Sequence, residues 1–108
     1  MSKRIFIYQT ASGRKPFTEW LNSLQDRAGI SRIKMRLDRM AMGNLGDRRT
    51  VGGGVIELRV HFGAGYRVYV GQYGEEMVVL LCGGDKNTQM NDIRLAHYYW
   101  GDYKMRPV

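Results

Sequence analysis

Hydrophobic and polar residues alternate most regularly in the second half of the chain. Ile56, Leu58 and Val60 are separated by polar residues, a pattern typical of a β-strand with one buried face. A glycine-containing turn leads to a second alternating segment at residues 66–70, and another turn leads to Met77–Cys82, which is continuously apolar. We therefore expect this last segment inside a sheet, where neighbouring elements cover both of its faces.

Apolar residues at helical spacing predict three helices elsewhere in the chain. The first is expected to begin near Pro16, because proline suits the first position of a helix. The second is predicted from about Ile30 to Met42. Asn87 or Thr88 is expected to cap the third helix. The core residues predicted for this last helix are Ile93, Ala96, Trp100 and Tyr103.

A short strand at Lys3–Gln9 completes the predicted order β-α-α-β-β-β-α. Because turns join the later strands directly, we expect a small antiparallel sheet with the helices packed on one face, which is an α+β fold. The chain of 108 residues contains no repeat and no interdomain linker. It is therefore expected to form one domain, residues 1–108.

Positive charge is concentrated in the first half of the chain. The first 50 residues contain 11 Lys or Arg and 4 Asp or Glu, whereas the remaining residues contain 6 of each, so the first half accounts for the whole net charge of +7. Such a charge excess attracts polyanions, either a nucleic acid or an acidic protein.

The remaining composition argues against several classes of protein. Cys82 is the only cysteine, and its place at the end of an apolar run predicts a buried thiol in a reducing cytosol. No segment is long and apolar enough for a signal-peptide core or a membrane span, so a cytoplasmic protein without membrane contact is expected. The two histidines and one cysteine match no zinc spacing, and no phosphate-loop motif is present. We therefore expect no metal and no cofactor.

Four basic residues lie on or beside the predicted strands, namely Arg59, His61, Arg67 and Lys86. Cleavage of RNA by its own 2′-hydroxyl requires a base, a cation that holds the phosphate and an acid for the leaving oxygen. His61 can exchange a proton near neutral pH and is expected on the same strand face as Arg59. Arg67 can bind a phosphate through two parallel hydrogen bonds. The alternative interpretation is that Arg59 and His61 form a solvated strand face and that Lys86 is an ordinary loop residue.

Two segments of this region are distinctive together: Glu57–Tyr69, which contains Gly-Tyr-Arg-Val-Tyr, and Leu80–Lys86, which ends in Gly-Gly-Asp-Lys. They resemble the addiction-module killer proteins of the RelE/ParE toxin superfamily, in the branch close to HigB and the phage Gp49-like proteins. The resemblance extends to Phe17–Leu21, Arg36–Arg39 and Gly43–Asp47, so that it spans nearly the whole chain. It implies a RelE-like toxin fold.

The resemblance also implies a function, that of a type II toxin which cuts mRNA in the ribosomal A site and stops translation. It implies neutralisation by a cognate antitoxin, often a small helix-turn-helix protein in this branch, and contact with operator DNA only through that antitoxin. By position, Arg67 matches the family arginine that contacts the scissile phosphate, and Lys86 matches a second basic position. Arg59 and His61 lie where the family places basic residues on the preceding strand.

One departure from the family concerns the proton transfers. Several RelE-like nucleases have a tyrosine or histidine near the C-terminal end of the site, where this chain has Asp92. Either His61 then takes more of the proton transfer, or Asp85 assists, or cleavage is weak.

Other basic residues are predicted to form a surface that binds RNA and the ribosome, although helix arginines more often form a solvated face. These residues are Arg32, Arg36, Arg39, Arg48, Arg49 and Lys104. Two further functions stay open from the sequence. One is a ParE-like toxin that inhibits DNA gyrase by binding alone, and the other is a basic nucleic-acid-binding module that regulates its own operon.

Overall fold

A five-stranded mixed sheet forms the centre of the structure, a computed structural model that describes residues 2–106. The strands are β1 (Arg4–Ile7), β2 (Arg48–Thr50), β3 (Val55–Val60), β4 (Tyr66–Tyr73) and β5 (Met77–Gly84). The helices are α1 (Pro16–Ser23), α2 (Arg27–Ala41) and α3 (Gln89–Met105), and a 3₁₀ turn at Lys86–Thr88 precedes α3. The strands lie in the order β1-β5-β4-β3-β2. The α+β class is thus confirmed.

Two features of the sheet differ from the prediction. β1 pairs in parallel with β5, whereas the other neighbours are antiparallel, so the sheet is mixed. In addition, β2 is a strand that the predicted order lacks. Its three residues are polar and exposed, and pairing of its main chain with β3 places it in the sheet. Neither feature leaves a hydrophobic pattern in the sequence, because hydrogen bonding between main chains decides both.

The helices begin where local chemistry favours a start. Pro16 occupies the first position of α1, as predicted. α2 begins a few residues earlier than predicted because the side chain of Asp26 caps it by accepting a hydrogen bond from Gly29 N. Before α3, the side chain of Asp85 forms a capping box with Thr88. Asp85 thus caps the 3₁₀ turn, whereas the N-cap residue of α3 is Thr88, one of the two predicted, whose side chain makes no capping hydrogen bond to α3.

Helices cover both faces of the sheet, which corrects the prediction of a single covered face. One core joins α1 and α2 to the first face, through Phe17, Ile33, Met40, Ile56, Leu58, Val68, Val78 and Leu80. The other core joins α3 to the second face, through Val55, Tyr69, Val79, Leu81, Ala96, Tyr99 and Trp100. β5 is an interior strand whose residues from Val78 onward are buried, as its continuous apolar run predicts.

A glycine lies under a tryptophan on each face of the sheet. A Cβ atom at Gly83 would lie 2.2 Å from the ring of Trp20 in α1, and a Cβ atom at Gly71 would lie 2.2 Å from the ring of Trp100 in α3. The indole rings thus rest on bare main chain, which allows α1 and α3 to approach the strands closely. Any side chain at these two positions would displace a helix.

The substitution Gly83→Ala is expected to destabilise the fold, because the added methyl group would overlap the Trp20 ring. Overpacking of this kind costs about 1–3 kcal/mol in the free energy of unfolding, which urea denaturation would measure. Gly101→Ala is the matched control, since Gly101 lies within α3 and a Cβ atom there meets nothing within 4 Å. That control should gain roughly 0.5–1 kcal/mol from helix propensity. A neutral Gly83→Ala would contradict the packing.

Candidate phosphate-binding site

A buried carboxylate lies among arginines on the sheet face that α3 covers. Glu57, on β3, is fully buried. Its Oε1 atom lies 3.1 Å from Arg59 Nε and 3.6 Å from Arg49 Nη2. Strand geometry produces both contacts: Arg59 is two residues further along the same strand, and Arg49 is the cross-strand neighbour of Glu57 on β2. One carboxylate oxygen therefore serves two guanidinium groups.

The second oxygen of Glu57 binds residues of β4 and α3. Oε2 accepts hydrogen bonds from the Tyr69 hydroxyl at 3.0 Å and from Gln89 Nε2 at 2.9 Å. It also lies 3.7 Å from Nε of Arg67. Tyr69 is the cross-strand neighbour of Glu57, just as Arg67 is that of Arg59. The carboxylate therefore connects three strands and the beginning of α3.

The protonation states follow from these contacts. Burial raises the pKa of Glu57, but hydrogen bonds from Gln89, Arg59 and Tyr69 outweigh it and bring the pKa below its usual range. Burial, together with the hydrogen bond to Glu57, raises the pKa of Tyr69. At neutral pH, Glu57 is thus ionised and Tyr69 is a hydrogen-bond donor.

Arg67 lies deepest among the cations of this cluster. Its side chain is 12% exposed, and Nη1 donates a hydrogen bond to the Gly65 carbonyl oxygen at 2.8 Å. Within residues 2–106, Nε of Arg67 is the only buried side-chain nitrogen or oxygen without a hydrogen-bond partner. Its Nη2 atom likewise has no hydrogen-bond partner in this part of the chain. The guanidinium group therefore retains donors for a ligand.

Lys86 lies beside Arg67 across Gly65. A Cβ atom at Gly65 would be 3.5 Å from both Nη1 of Arg67 and Cβ of Lys86. The main-chain N–H of Lys86 points to the carbonyl oxygen of Ala64 at 3.4 Å, which holds the 3₁₀ turn against the β3–β4 loop. The Lys86 side chain is exposed. The structure thus brings Arg59, Arg67 and the main chain of Lys86 into one cluster.

Two acidic residues lie at the edge of this cluster. The carboxylate of Asp85 accepts hydrogen bonds from the main-chain N–H groups of Asn87 and Thr88, at 2.8 and 3.2 Å. Asp92 is buried under Gly84, and the Thr88 hydroxyl donates to its carboxylate. Burial raises the pKa of Asp92. In this structure, Asp85 and Asp92 hold the segment that carries Lys86.

His61 lies apart from the carboxylate cluster. β3 ends at Val60, so His61 lies just beyond the strand on which it was expected, although it stays near Arg59. The ring of His61 is 73% exposed, and it contacts the Asp47 carboxylate through Nε2. It borders a depression of about 230 Å³ beside α2. The lining residues of this depression are Arg32, Met35, Arg36, Arg39, Arg59, Val60, His61 and Phe62.

Arg36 corrects the prediction of an exposed arginine surface on α2. It is buried, and its guanidinium group donates to the carbonyl oxygens of Leu45, Asp47 and Arg59. Burial lowers its pKa. Arg36 thus joins α2 to the β2 and β3 segments and is not available to bind RNA. The other residues predicted for that surface are exposed, namely Arg32, Arg39, Arg48, Arg49 and Lys104.

Sequence reasoning missed Glu57, Tyr69 and Gln89 as parts of the site. Glu57 is an acidic residue in a strand-like segment, and the sequence gives it no evident partner. A signal for Tyr69 was present, since pairing β3 with β4 through the intervening turn places Tyr69 opposite Glu57. Gln89 comes from α3, and only the packing of that helix brings its side chain to the carboxylate.

The burial of Cys82 is confirmed. The residue is 5% exposed, and its thiol donates to the carbonyl oxygen of Asp92. Burial raises the pKa of this thiol to about 12, so it is not a nucleophile at neutral pH.

Over residues 2–106, no group of three or more His, Cys, Asp or Glu side chains is arranged to hold a metal ion. No helix in that range is sufficiently long and apolar to span a membrane.

Comparison with known proteins gives one relationship. No family model matches the chain. The sequence is 44% identical, over 80 residues, to an uncharacterized protein of Haemophilus influenzae, and the match takes in 74% of this chain and 81% of that protein. The chain belongs to the same family as this Haemophilus protein.

Acidification is expected to destabilise the protein through Glu57. Because the pKa of Glu57 is lower in the folded state than in the unfolded state, its stabilising effect is complete above the unfolded value and is lost as pH falls through the folded value. Urea titrations between roughly pH 6 and 3 should show the free energy of unfolding falling below about pH 4.3. The decline should be smaller in Glu57→Gln. Equal declines in the two proteins would contradict a lowered pKa.

Proposed function

We propose that this protein is a type II toxin of the RelE/ParE superfamily with a RelE-like fold, and that it acts as a ribosome-dependent mRNA endonuclease. The observation that carries the proposal is the proximity of Arg67 to Lys86 across Gly65. A strand arginine with unused donors lies close to the Cβ atom of Lys86, an exposed lysine that begins a capped turn. Such an arrangement is suited to stabilising the negative charge on a phosphate group in the transition state of cleavage.

The chemistry divides among the cations of the cluster. The RNA 2′-hydroxyl gives its proton to a solvent water molecule and attacks the adjacent phosphorus, so that the bond from O2′ to phosphorus forms and the bond from phosphorus to O5′ breaks. Arg67 binds the non-bridging oxygens, on which negative charge accumulates. Arg59 adds a second guanidinium group, whose Nε is engaged by Glu57 and whose terminal nitrogens make no hydrogen bond within residues 2–106. Lys86 protonates the leaving O5′ atom.

The distribution of charge supports a large polyanionic partner. The exposed residues Arg32, Arg39 and Arg48 belong to the basic first half of the chain, and Lys104 is a further exposed cation from the second half. His61 lies with two of these arginines beside α2 rather than with Arg67. In this proposal His61 therefore belongs to the RNA-binding surface, and the ribosome aligns the mRNA for attack. Free RNA would then be a poor substrate.

The partners proposed with this function are the ribosome with its mRNA and a cognate antitoxin, a small helix-turn-helix protein. Operator DNA would be contacted only through the antitoxin, and the toxin would act in the cytoplasm. A gyrase inhibitor would require no phosphate pocket, so the clustering of Arg59, Arg67 and Lys86 favours the nuclease over that alternative.

Arg67→Ala is expected to abolish growth inhibition, because the guanidinium group that binds the phosphate is lost while the strand is retained. Pulse labelling of protein and DNA synthesis after induction would measure the effect. Arg14→Ala removes an exposed arginine that pairs with Glu19 and should remain toxic. Arg67→Lys retains the charge without the bidentate geometry and should be strongly impaired.

The order of arrest distinguishes the candidate functions. Protein synthesis should stop first, with cleaved mRNA on ribosomes. Arrest of DNA synthesis first would instead indicate gyrase inhibition. A fully toxic Arg67→Ala would contradict the proposed nuclease site.

Association with ribosomes is expected to weaken as salt is raised, because release of counterions from RNA drives the binding of exposed arginines and lysines. Sedimentation of the toxin with ribosomes between about 50 and 200 mM salt should show a steep loss of the bound fraction. Arg39→Gln should reduce the salt dependence, whereas Arg14→Gln should leave it unchanged. Binding that is insensitive to salt would contradict this mode of association.

A further inference from the structure

Glu57 has more partners than the stability of a strand requires. It is fully buried and ionised, and five side chains contact it: Arg49, Arg59, Arg67, Tyr69 and Gln89. A lone carboxylate is expensive to bury, and an apolar residue would suit a covered strand position better. The contacts made by this side chain therefore indicate a role in orienting its partners.

The contacts of Glu57 determine where the two central arginines present their free donors. Arg59 binds Oε1 through Nε, and Arg67 approaches Oε2 through its own Nε, at 3.7 Å. In both residues the contact uses the inner edge of the guanidinium group. The terminal nitrogens are thus left for another ligand, apart from the Nη1 atom of Arg67, which donates to Gly65.

Tyr69 and Gln89 keep the carboxylate itself in place. Both donate to Oε2, and Tyr69 is fully buried. With two neutral donors on this oxygen, Glu57 cannot rotate to form a bidentate pair with Arg67. The negative charge therefore holds the arginines without occupying the donors that a phosphate would need.

We propose that Glu57 is a positioning residue, which orients the guanidinium groups of Arg59 and Arg67 toward the transferring phosphate. This inference rests on the proposed nuclease function and extends it to a residue that does not touch the substrate. It implies that Glu57 contributes to the rate of cleavage and little to the affinity for RNA. Loss of its negative charge would strengthen the attraction of RNA while the arginines become misaligned.

The test is Glu57→Gln, which retains the size of the side chain and one oxygen but removes the charge. At saturating ribosome concentration, its cleavage rate should fall about a hundredfold, the scale expected for a small misplacement of catalytic groups. Its affinity for a single-stranded RNA oligonucleotide should be equal to or greater than that of the wild type. A residue with only a structural role would lower the folded fraction instead, and would not separate rate from affinity.

Asp102→Asn is the matched control. Asp102 also accepts a hydrogen bond from a tyrosine, Tyr8, and also pairs with an arginine, Arg106, but it lies near the end of α3. This variant should cleave at the wild-type rate. Circular dichroism and thermal unfolding would establish that both variants are folded. Tyr69→Phe, which removes a single contact to Oε2, should give an intermediate loss of rate.

Nitrogen-15 NMR of the arginine Nε–H groups provides a readout that does not depend on activity. In the wild type, the Arg59 Nε–H signal should be well resolved and slow to exchange with water, because it donates a hydrogen bond to Glu57, and Glu57→Gln should make it exchange faster. If the wild type cuts mRNA and Glu57→Gln cuts equally well, the positioning role is overturned and the nuclease remains. If the wild type cuts no mRNA, the nuclease proposal fails. The NMR comparison then decides whether Glu57 orients the arginines, and unchanged signals would overturn that role.

Discussion

The ionised carboxylate of Glu57 is the constraint around which one end of the molecule is organised. A charge excluded from water requires partners of opposite charge and hydrogen-bond donors. Here β2 supplies Arg49, β3 supplies Arg59, β4 supplies Tyr69 and Arg67, and α3 supplies Gln89. These partners lie on four different elements. The contacts that compensate this single buried charge therefore depend on the register of three strands and on the docking of a helix.

That docking depends in turn on positions without side chains. Trp100 of α3 rests on Gly71, and the carboxylate of Asp92 occupies the space where a Cβ of Gly84 would be. Because β4 and β5 present bare main chain at these two places, α3 lies close enough for Gln89 to reach Glu57. Gly83 provides the same close approach for Trp20 on the opposite face. Dense packing on both faces thus makes the sheet a rigid support for the arginine cluster.

Buried and exposed arginines have different roles in this protein. Arg36 donates hydrogen bonds to main-chain carbonyl oxygens and thereby joins α2 to the sheet. Arg59 and Arg67 are partly buried, are contacted by a carboxylate and retain unused donors. Arg32 is exposed, with its guanidinium group 4.8 Å from the centre of the Phe62 ring. A count of basic residues does not separate these roles, because burial and partners determine which charges a ligand can reach.

The three helices, most of the strands and much of the core are predictable from the sequence, because their signals are periodic and local. Alternation located β3 and β4, a continuous apolar run placed β5 in the interior, and Pro16 marked the start of α1. Strand alternation and the shortness of the turns also predict that Arg59, Arg67 and Lys86 lie near one another.

Three features of the fold are visible only in the tertiary structure. They are the parallel pairing of β1 with β5, the presence of β2 in the sheet and the covering of both sheet faces by helices. The same is true of the burial of Arg36, the contact between His61 and Asp47, and the contacts of Glu57 with its arginine, tyrosine and glutamine partners. Each of these depends on contacts between residues distant in the chain, and such contacts leave no period in the sequence. The physical reason is that periodicity in the sequence indicates only which side of a helix or strand is buried. Main-chain pairing and the partners of a buried charge depend instead on which helices and strands contact each other in the folded protein.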